Sequence, residues 1–367
     1  MNINVLNHDL DRLGLVDAYK SLSFIRNYND VGSFQIVIDV TSKHSKLLQM
    51  DNIVMINADE TKVGIIDSIG FGLDNEGNEV KTVKGKTLGV ILDDRMIIPH
   101  ENESQDKVQL NIESILHHYV NNHCINPNDI LRKYPFLSAT KDKKRGRSIR
   151  WTSRYGRLLD EIKTISGLYA IGWRFVLDLD LSRWLFDVYE GRDLTVNQDV
   201  HTPVIFSPKF ENIYDMELIE TNTNERNFAY VGAEGEGASR KIYNVGTAEG
   251  LARKEIFFEI NPNEDGMYID PPEQASRQLD EYYYIINLTA GIRDCDMFKF
   301  ERDYDLGDMV TIHKPEWDYM NDLRIISIEE VFDDNGKQIF ATFGEHIPSI
   351  IDRTKQELKI FEPYIKK

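Results

Sequence analysis

The chain has 367 residues, 41% hydrophobic and 28% charged, which suits a globular protein of two or more domains with proper cores. Its 43 basic and 61 acidic residues leave a formal charge of −18, so no sequence-specific nucleic-acid binding is expected. Two cysteines, Cys124 and Cys295, cannot build a disulfide framework; with no signal peptide and no apolar run near 18 residues, a reducing cytosol and no membrane anchor are expected.

Residues 1 to about 100 read mostly as β. Phe34, Ile36, Ile38 and Val40 alternate in "GSFQIVIDV", the pattern of a half-buried strand. "LGVILDDRMIIP" (88–99) follows a hairpin, and the polar "HENESQDK" (100–107) reads as a connector. From 108 the period changes. "VQLNIESILHHYVNN" sets Val108, Ile112, Ile115, Leu116 and Tyr119 on one helical face. "SRYGRLLDEIKTISG" does likewise with Tyr155, Leu158, Leu159, Ile162 and Ile165, and Gly167 is its expected C-cap. "LYAIGWRFVLDLDLSRWLFDVYEG" (168–191) reads as a helix end and a hairpin, completing a small α+β unit inserted between two β regions.

Residues 203–260 return to β, with strand, polar turn and strand in "NIYDMELIETNTNERNFAYVGAEGEG". "DPPEQASRQLDEYYYIINLT" (270–289) is expected to be a helix with prolines at its start, where a missing N–H costs nothing. "CDMFKFERDYD" reads as a strand, and "PSIIDRTKQELKIFEPYIKK" as a short helix and tail.

The β regions echo one another. Ile66–Gly85 and Ile325–Gly344 align without a gap at an offset of 259, with six identities in 20. Asp74 and Gly77 bracket one turn, and Asp333 and Gly336 the other; the window closes at Gly85 and Gly344. In such turns Asp bonds nearby backbone and Gly accepts positive φ. "DNIVMI" (51–56) precedes the first hairpin and "GDMVTI" (307–312) the second, across a loop about three residues longer. That longer loop, "HKPEWDYMND" (313–322), is where the two copies are expected to differ in partner.

Chemistry-bearing patterns are few. His117, His118 and His123 lack the spacing of convergent metal ligands, so no metal and no cofactor are expected. "GAEGEG" (232–237) reads as a turn, because Glu234 and Glu236 would repel phosphate. "KDKKRGRSIR" (141–150) reads as a solvated loop or a docking element for an acidic neighbour. No Ser lies in G-x-S-x-G, neither Cys has a nucleophile's context, and no carboxylate pair stands out. No catalytic residue is assigned, and a non-enzyme is expected.

Six stretches in fixed order carry a family resemblance: "GSFQIVID" (32–39), "GIIDSIGFGLDNEGNEVKTVKGKTLGVILDDRMI" (64–97), "GWRFVLD" (172–178), "VYEGRD" (188–193), "VGAEGEGASR" (231–240) and "DYDLGDMVTI" (303–312). In the last, Asp305, Leu306, Gly307 and Asp308 form the motif. The set resembles the tail-hub proteins of long-tailed bacteriophages, related to the N-terminal hub domain of tail-associated lysins. The resemblance implies a mainly β fold with an α+β insertion: two similar β-barrel tube domains plus peripheral α+β domains. Its boundaries would be a first barrel at 1–100, an α+β domain at 101–200, a second barrel at 201–345 with a helical insertion near 261–300, and a C-terminal helix or tail at 346–367.

It further implies a homotrimer forming a pseudo-sixfold ring at the virion tail tip, assembled in the host bacterial cytoplasm. The partners implied are a hexameric distal tail protein, the tape measure protein, and a spike, fibre or receptor-binding protein, with DNA passing through the ring. Many relatives continue into a hydrolase or fibre, whereas the sequence here stops at Lys367, so either a separate protein supplies that part or the native chain runs on past Lys367. Two other readings stay open: a tail-tip cell-wall hydrolase (peptidase or glycosidase), and a carbohydrate or receptor-binding module using Trp173, Trp184 and Trp317.

Overall fold

The computed structural model describes residues 1–74, 76–180, 182–262, 270–293 and 297–345. They form two compact units: unit 1 holds 1–216 and 289–343, and unit 2 holds 217–288 with 344–345. The expected C-terminal helix at 346–367 and Cys295 lie outside the described residues.

Unit 1 opens with seven strands: β1 (Ile3–Leu6), β2 (Arg12–Val16), β3 (Ser21–Asn27), β4 (Ser33–Asp39), β5 (Ile53–Ile56), β6 (Val63–Leu73) and β7 (Glu79–Thr87). They pair antiparallel in the order β3-β4-β7-β6-β5-β1-β2. The period-2 reading of β4 holds: Phe34, Ile36 and Ile38 turn inward to join Leu22, Phe24 and Val83 in one core. Burying each such side chain contributes roughly 1.5–3 kcal/mol, which fixes the register because a one-residue slip would expose the whole set.

The α+β segment supplies β8 (Asp106–Asn111), α1 (Ile112–Val120), β9 (Leu137–Ala139), β10 (Ser148–Ser153), α2 (Leu158–Leu168), β11 (Gly172–Asp178) and β12 (Arg183–Tyr189). β8 and β10 form a ribbon, and β12 lies between β11 and β9. One core runs from Met55 and Leu88 through Ile115, Leu116 and Ile162 to Trp173 and Phe186. Three helix expectations change, the first being Tyr155, which is exposed at φ 48° ahead of α2. Val108 belongs to β8 rather than to α1, and Gly167 lies inside α2, which ends through Tyr169 and the left-handed Ala170 at φ 51°.

The chain then adds β13 (Asp193–Leu194), β14 (Ile205–Phe206) and β15 (Ile213–Thr221). In unit 2 it forms β16 (Phe228–Gly232), β17 (Ile242–Val245), β18 (Glu255–Glu259) and α3 (Pro271–Leu279). β16 is the centre of a sheet with β17 and β18, and Val231, Phe258 and Ala275 share its core. The Asp270 carboxylate caps α3 by accepting from the Glu273 amide. The expected helix at 270–289 is too long. α3 stops at Leu279, and the β-branched run that follows becomes β19 (Ile285–Ile292), where alternate side chains find a pleated surface. The expected strand at 295–305 is likewise corrected: among its described residues only the bridge Phe300↔Tyr304 pairs, and Glu301 turns the chain at φ 67°.

Unit 1 resumes with β20 (Met309–Lys314), β21 (Tyr319–Asp333) and β22 (Gly336–Gly344). The second set is ordered β15-β19-β22-β21-β20, with β13 and β14 both pairing β20. This repeats the neighbour order β3-β4-β7-β6-β5-β1 of the first set. The repeat extends to irregularities: β6 bulges between Ile66 and Ser68, and β21 bulges between Ile325 and Ser327. The register differs by one residue, however. Ser68 faces Lys84, but Ser327 faces Thr342, because one hairpin ends at Leu73↔Glu79 and the other at Asp333↔Gly336. The gapless alignment therefore conceals a slip.

The fold is mainly β, but the two expected barrels do not close. β2 pairs β1 alone, and β3 pairs onward with β21, Ser327 opposite Asn27 and Phe332 opposite Leu22, so both sets share one open 14-stranded sheet.

Candidate functional site: the Asp305–Asp308 loop and the paired hairpins

The motif Asp305-Leu306-Gly307-Asp308 forms the loop that starts β20. The Asp308 carboxylate is buried and accepts from the Arg192 amide at 2.7 Å, from Arg192 Nη2 at 2.6 Å and from the Asp305 amide at 2.9 Å. Asp305 Oδ1 in turn accepts from the Leu306 amide at 2.7 Å. Gly307 sits at φ 94°, and a Cβ there would meet Tyr28 Cε2 at 2.4 Å, so geometry and space both demand glycine. Its carbonyl accepts from Arg324 Nη1 at 2.6 Å.

The loop also fixes the bulge of β21. The Gly307 amide donates to the Ile325 carbonyl at 2.8 Å, and the Ile325 amide to the Asp308 carbonyl at 2.9 Å. The first set repeats the clamp: Asp51 N donates to Ile66 O at 2.9 Å, and Ile66 N to Asn52 O at 3.0 Å. Asp51, at φ 66°, is the counterpart of Gly307. "DNIVMI" and "GDMVTI" thus share a clamp as well as a strand.

Where β3 meets β21 lies a group of charges in which Lys62, Glu330 and Arg26 are buried and Glu301, Asp305 and Lys337 are partly exposed. Lys62 Nζ is 2.6 Å from both Glu301 Oε1 and Glu330 Oε2; Arg26 Nη2 reaches Glu301 at 3.1 Å and Asp305 at 3.4 Å; Lys337 Nζ reaches Glu330 at 2.9 Å. Glu330 is only 2% exposed. Burial alone would push its carboxyl up, but Lys62 and Lys337 outweigh that and hold it below the ordinary value. Removing Lys62 would leave the buried Glu330 with Lys337 alone, so the group favours this strand pairing even where its net stability is small.

At both hairpin turns an aspartate accepts from the amides that follow it. Asp74 Oδ1 accepts from the Glu76 and Asn78 amides at 3.0 and 2.8 Å, and Asp333 Oδ1 from the Asn335 amide at 2.8 Å. Gly77 and Gly336 take φ 83° and 98°. Lys20, 2.6 Å away, and then the Asn78 amide hold the Asp74 carboxyl well below the ordinary range. Gly85 is needed for closeness, since a Cβ there would lie 2.0 Å from the Ile65 carbonyl oxygen; Gly344 takes φ 96°.

The remaining candidates scatter. His118 Nε2 lies 2.8 Å from Asp106 Oδ1, and His123 Nε2 3.6 Å from Oδ2. A π turn at Asn121–Ile125 after α1 brings them to one carboxylate, which helical i, i+4 reasoning missed. Among the described residues no group of three or more His, Cys, Asp or Glu could hold a metal ion. In the basic run, Arg145 is not simply solvated: its Nε and Nη2 each lie 3.0 Å from the buried Glu113 carboxylate. Trp173 and Trp184 are core residues, while Trp317 is half-exposed under Lys314 in the β20–β21 loop. "GAEGEG" leads from β16 to β17 with Gly235 and Gly237 at positive φ, as a turn requires. Among the described residues no helix is long and apolar enough to cross a membrane.

Sequence reasoning marked "VYEGRD" and "DYDLGD" separately, but nothing joined Arg192 to Asp308 across 116 positions. It passed over Arg26, Lys62, Glu301 and Glu330 altogether, because isolated charges in an acidic chain carry no pattern.

Comparison with solved structures shows a shared fold. The tail protein from Neisseria meningitidis MC58 matches with a TM-score of 0.57 at 14% identity, covering 94% of this chain and 96% of that one. The prophage MuSo2 43 kDa tail protein from Shewanella oneidensis matches with a TM-score of 0.57 at 11% identity, covering 94% and 98%. Prophage tail protein gp18 from Listeria monocytogenes EGD-e matches with a TM-score of 0.55 at 10% identity, covering 99% and 100%. No curated protein matches the chain. The family model for Siphovirus ReqiPepy6 Gp37-like protein matches residues 2–345, and the chain, with the fold of phage tail proteins, belongs to that family.

Proposed function

We propose that this phage tail protein is the structural hub of a siphovirus-type tail tip, without catalysis of its own. The observation that carries the reading is the repeated strand set, joined through β3 and β21 into one sheet. A chain with two quasi-equivalent halves reconciles sixfold with threefold symmetry: three copies present six similar strand sets. The ring would meet a hexameric distal tail protein above and a spike, fibre or receptor-binding protein below. The tape measure protein would end within it. The hairpins at Asp74–Gly77 and Asp333–Gly336 would occupy alternating equivalent places, and residues 101–200 would lie outside the wall or bridge to a neighbour. A formal charge of −18 suits a lumen through which DNA slides without sticking.

The test is reconstitution with the distal tail protein, read by native mass spectrometry. The reading predicts three copies of this chain on six of the partner. A one-to-one complex, or clearing of bacterial cell wall by the purified chain, would contradict it.

A further inference from the structure

Equivalent segments of the two strand sets differ in exposure. Ser327–Phe332 of β21 is flanked by β22 on one side and by β3 on the other, and Ile328 and Glu330 are buried there. The counterpart Ser68–Leu73 of β6, at the offset of 259, pairs β7 on one side. β5 reaches only Val63–Ile65, so the other edge of 68–73 has no strand beside it among the described residues. Phe71 and Leu73 are 71% and 69% exposed, and added Cβ atoms at Gly70 and Gly72 would meet open space. The Asp74 amide donates to Asn78 O, so by the alternation of an antiparallel ladder the N–H groups of Ile69, Phe71 and Leu73 point away from β7. A flat edge carrying free donors and two apolar side chains invites another strand.

The strand that fits is named by the repeat. β3 covers β21; in the second set the place of β3 is taken by β15, which ends the sheet with one edge unpartnered among the described residues. β15 carries the exposed Ile219. We propose that Ser68–Leu73 of one copy receives β15 of a second copy, antiparallel, as β21 receives β3 within the chain. The contact is heterologous, each copy giving one β15 and one β6 edge, so it propagates head to tail and closes where the rotation closes. It rests on the hub reading for the number of copies at closure, but the pairing itself rests on the repeat.

The experiment places a photocrosslinking amino acid at position 71 of the full chain and compares the wild type with Phe71→Lys/Leu73→Lys and with Phe71→Pro. Leu73 faces solvent and Phe71 touches the Lys81 ammonium, 5.9 Å from its ring centroid, so the monomer should stay folded with a melting temperature only slightly lowered by the lysines. The double lysine variant should weaken self-association at least tenfold. The proline variant, which removes an outward N–H without touching the β7 ladder, should do the same. Irradiation should join copies, with the crosslinked peptide mapping to Ile213–Thr221. If rings form but crosslinks map elsewhere, or the variants assemble as the wild type does, this pairing is wrong while the hub reading stands. If no multimer forms at any concentration, with or without the distal tail protein, both fall.

Discussion

Replacing Asp308 with alanine tests whether the Asp305–Asp308 loop is held by its buried carboxylate. Two backbone donors, the amides of Arg192 and Asp305, would lose acceptors at 2.7 and 2.9 Å. Both amides are partly buried, so leaving each unpaired costs an amount toward the low end of the roughly 1–3 kcal/mol of a fully buried donor. The Arg192 side chain is 41% exposed, so its guanidinium can rehydrate, and the ion pair itself adds about 1 kcal/mol or less. The expected loss is about 3 kcal/mol, allowing for water entering the gap. Arg192→Ala should cost only about 1 kcal/mol, because Asp308 keeps both amides. Asp308→Asn should fall between, retaining one acceptor while turning an NH2 group toward another donor. Urea unfolding of the three variants gives the order directly from their midpoints. Asp308→Ala within about 1 kcal/mol of wild type, or Arg192→Ala as the worse variant, would refute the claim that the carboxylate organises the loop.

Other predictions follow from the same geometry. Lys62→Met should cost roughly 1.5–3 kcal/mol, because Glu330 keeps only Lys337 as a cationic partner, and Lys62→Met/Glu330→Met should recover much of it; additivity in a double-mutant cycle would deny the coupling. Burial would raise the Glu113 carboxyl, but Arg145 outweighs it and holds the carboxyl at about 2, below its unfolded value near 4.5. That stability, on the order of 3 kcal/mol, is therefore full above about pH 4.5 and lost as pH falls toward 2. Glu113→Gln should flatten this part of the acid-melting profile, and an unchanged profile would count against it. Asp51→Gly should stabilise slightly, by about 0.5–1 kcal/mol, since φ 66° suits glycine better; a lower melting temperature would show that the aspartate is held by something else. Gly336→Val should leave a soluble monomer but impair ring assembly, because φ 98° sits at an open hairpin tip; equal loss of soluble monomer would argue against the ring.

What was legible in the sequence was local. Alternation in β4 and the prolines opening α3 act within a few residues, and each appears in its element. The misreadings arose where a tertiary partner or an unusual period decided the outcome. "YYYIINLT" runs on from α3 without a breaker, but the sheet takes it as β19 from Ile285 onward. The π turn that draws His118 and His123 to Asp106 has no residue signature. The two barrels are what the family resemblance implies, and nothing in the chain announces that β3 will pair with β21, about 300 residues away. The gapless repeat hid a one-residue slip, since the turn glycines align whether or not the strands between them keep the same partners. The loop motif was visible as a motif, but its function as a clamp depends on Arg192, and that pairing belongs to the fold.

The most direct measurement is the mass of the purified chain by light scattering over a range of concentrations, with negative-stain images of the same fractions. The hub account predicts a species of three chain masses that images as a ring with a central hole. A compact monomer at every concentration, persisting when the distal tail protein is added, would contradict it.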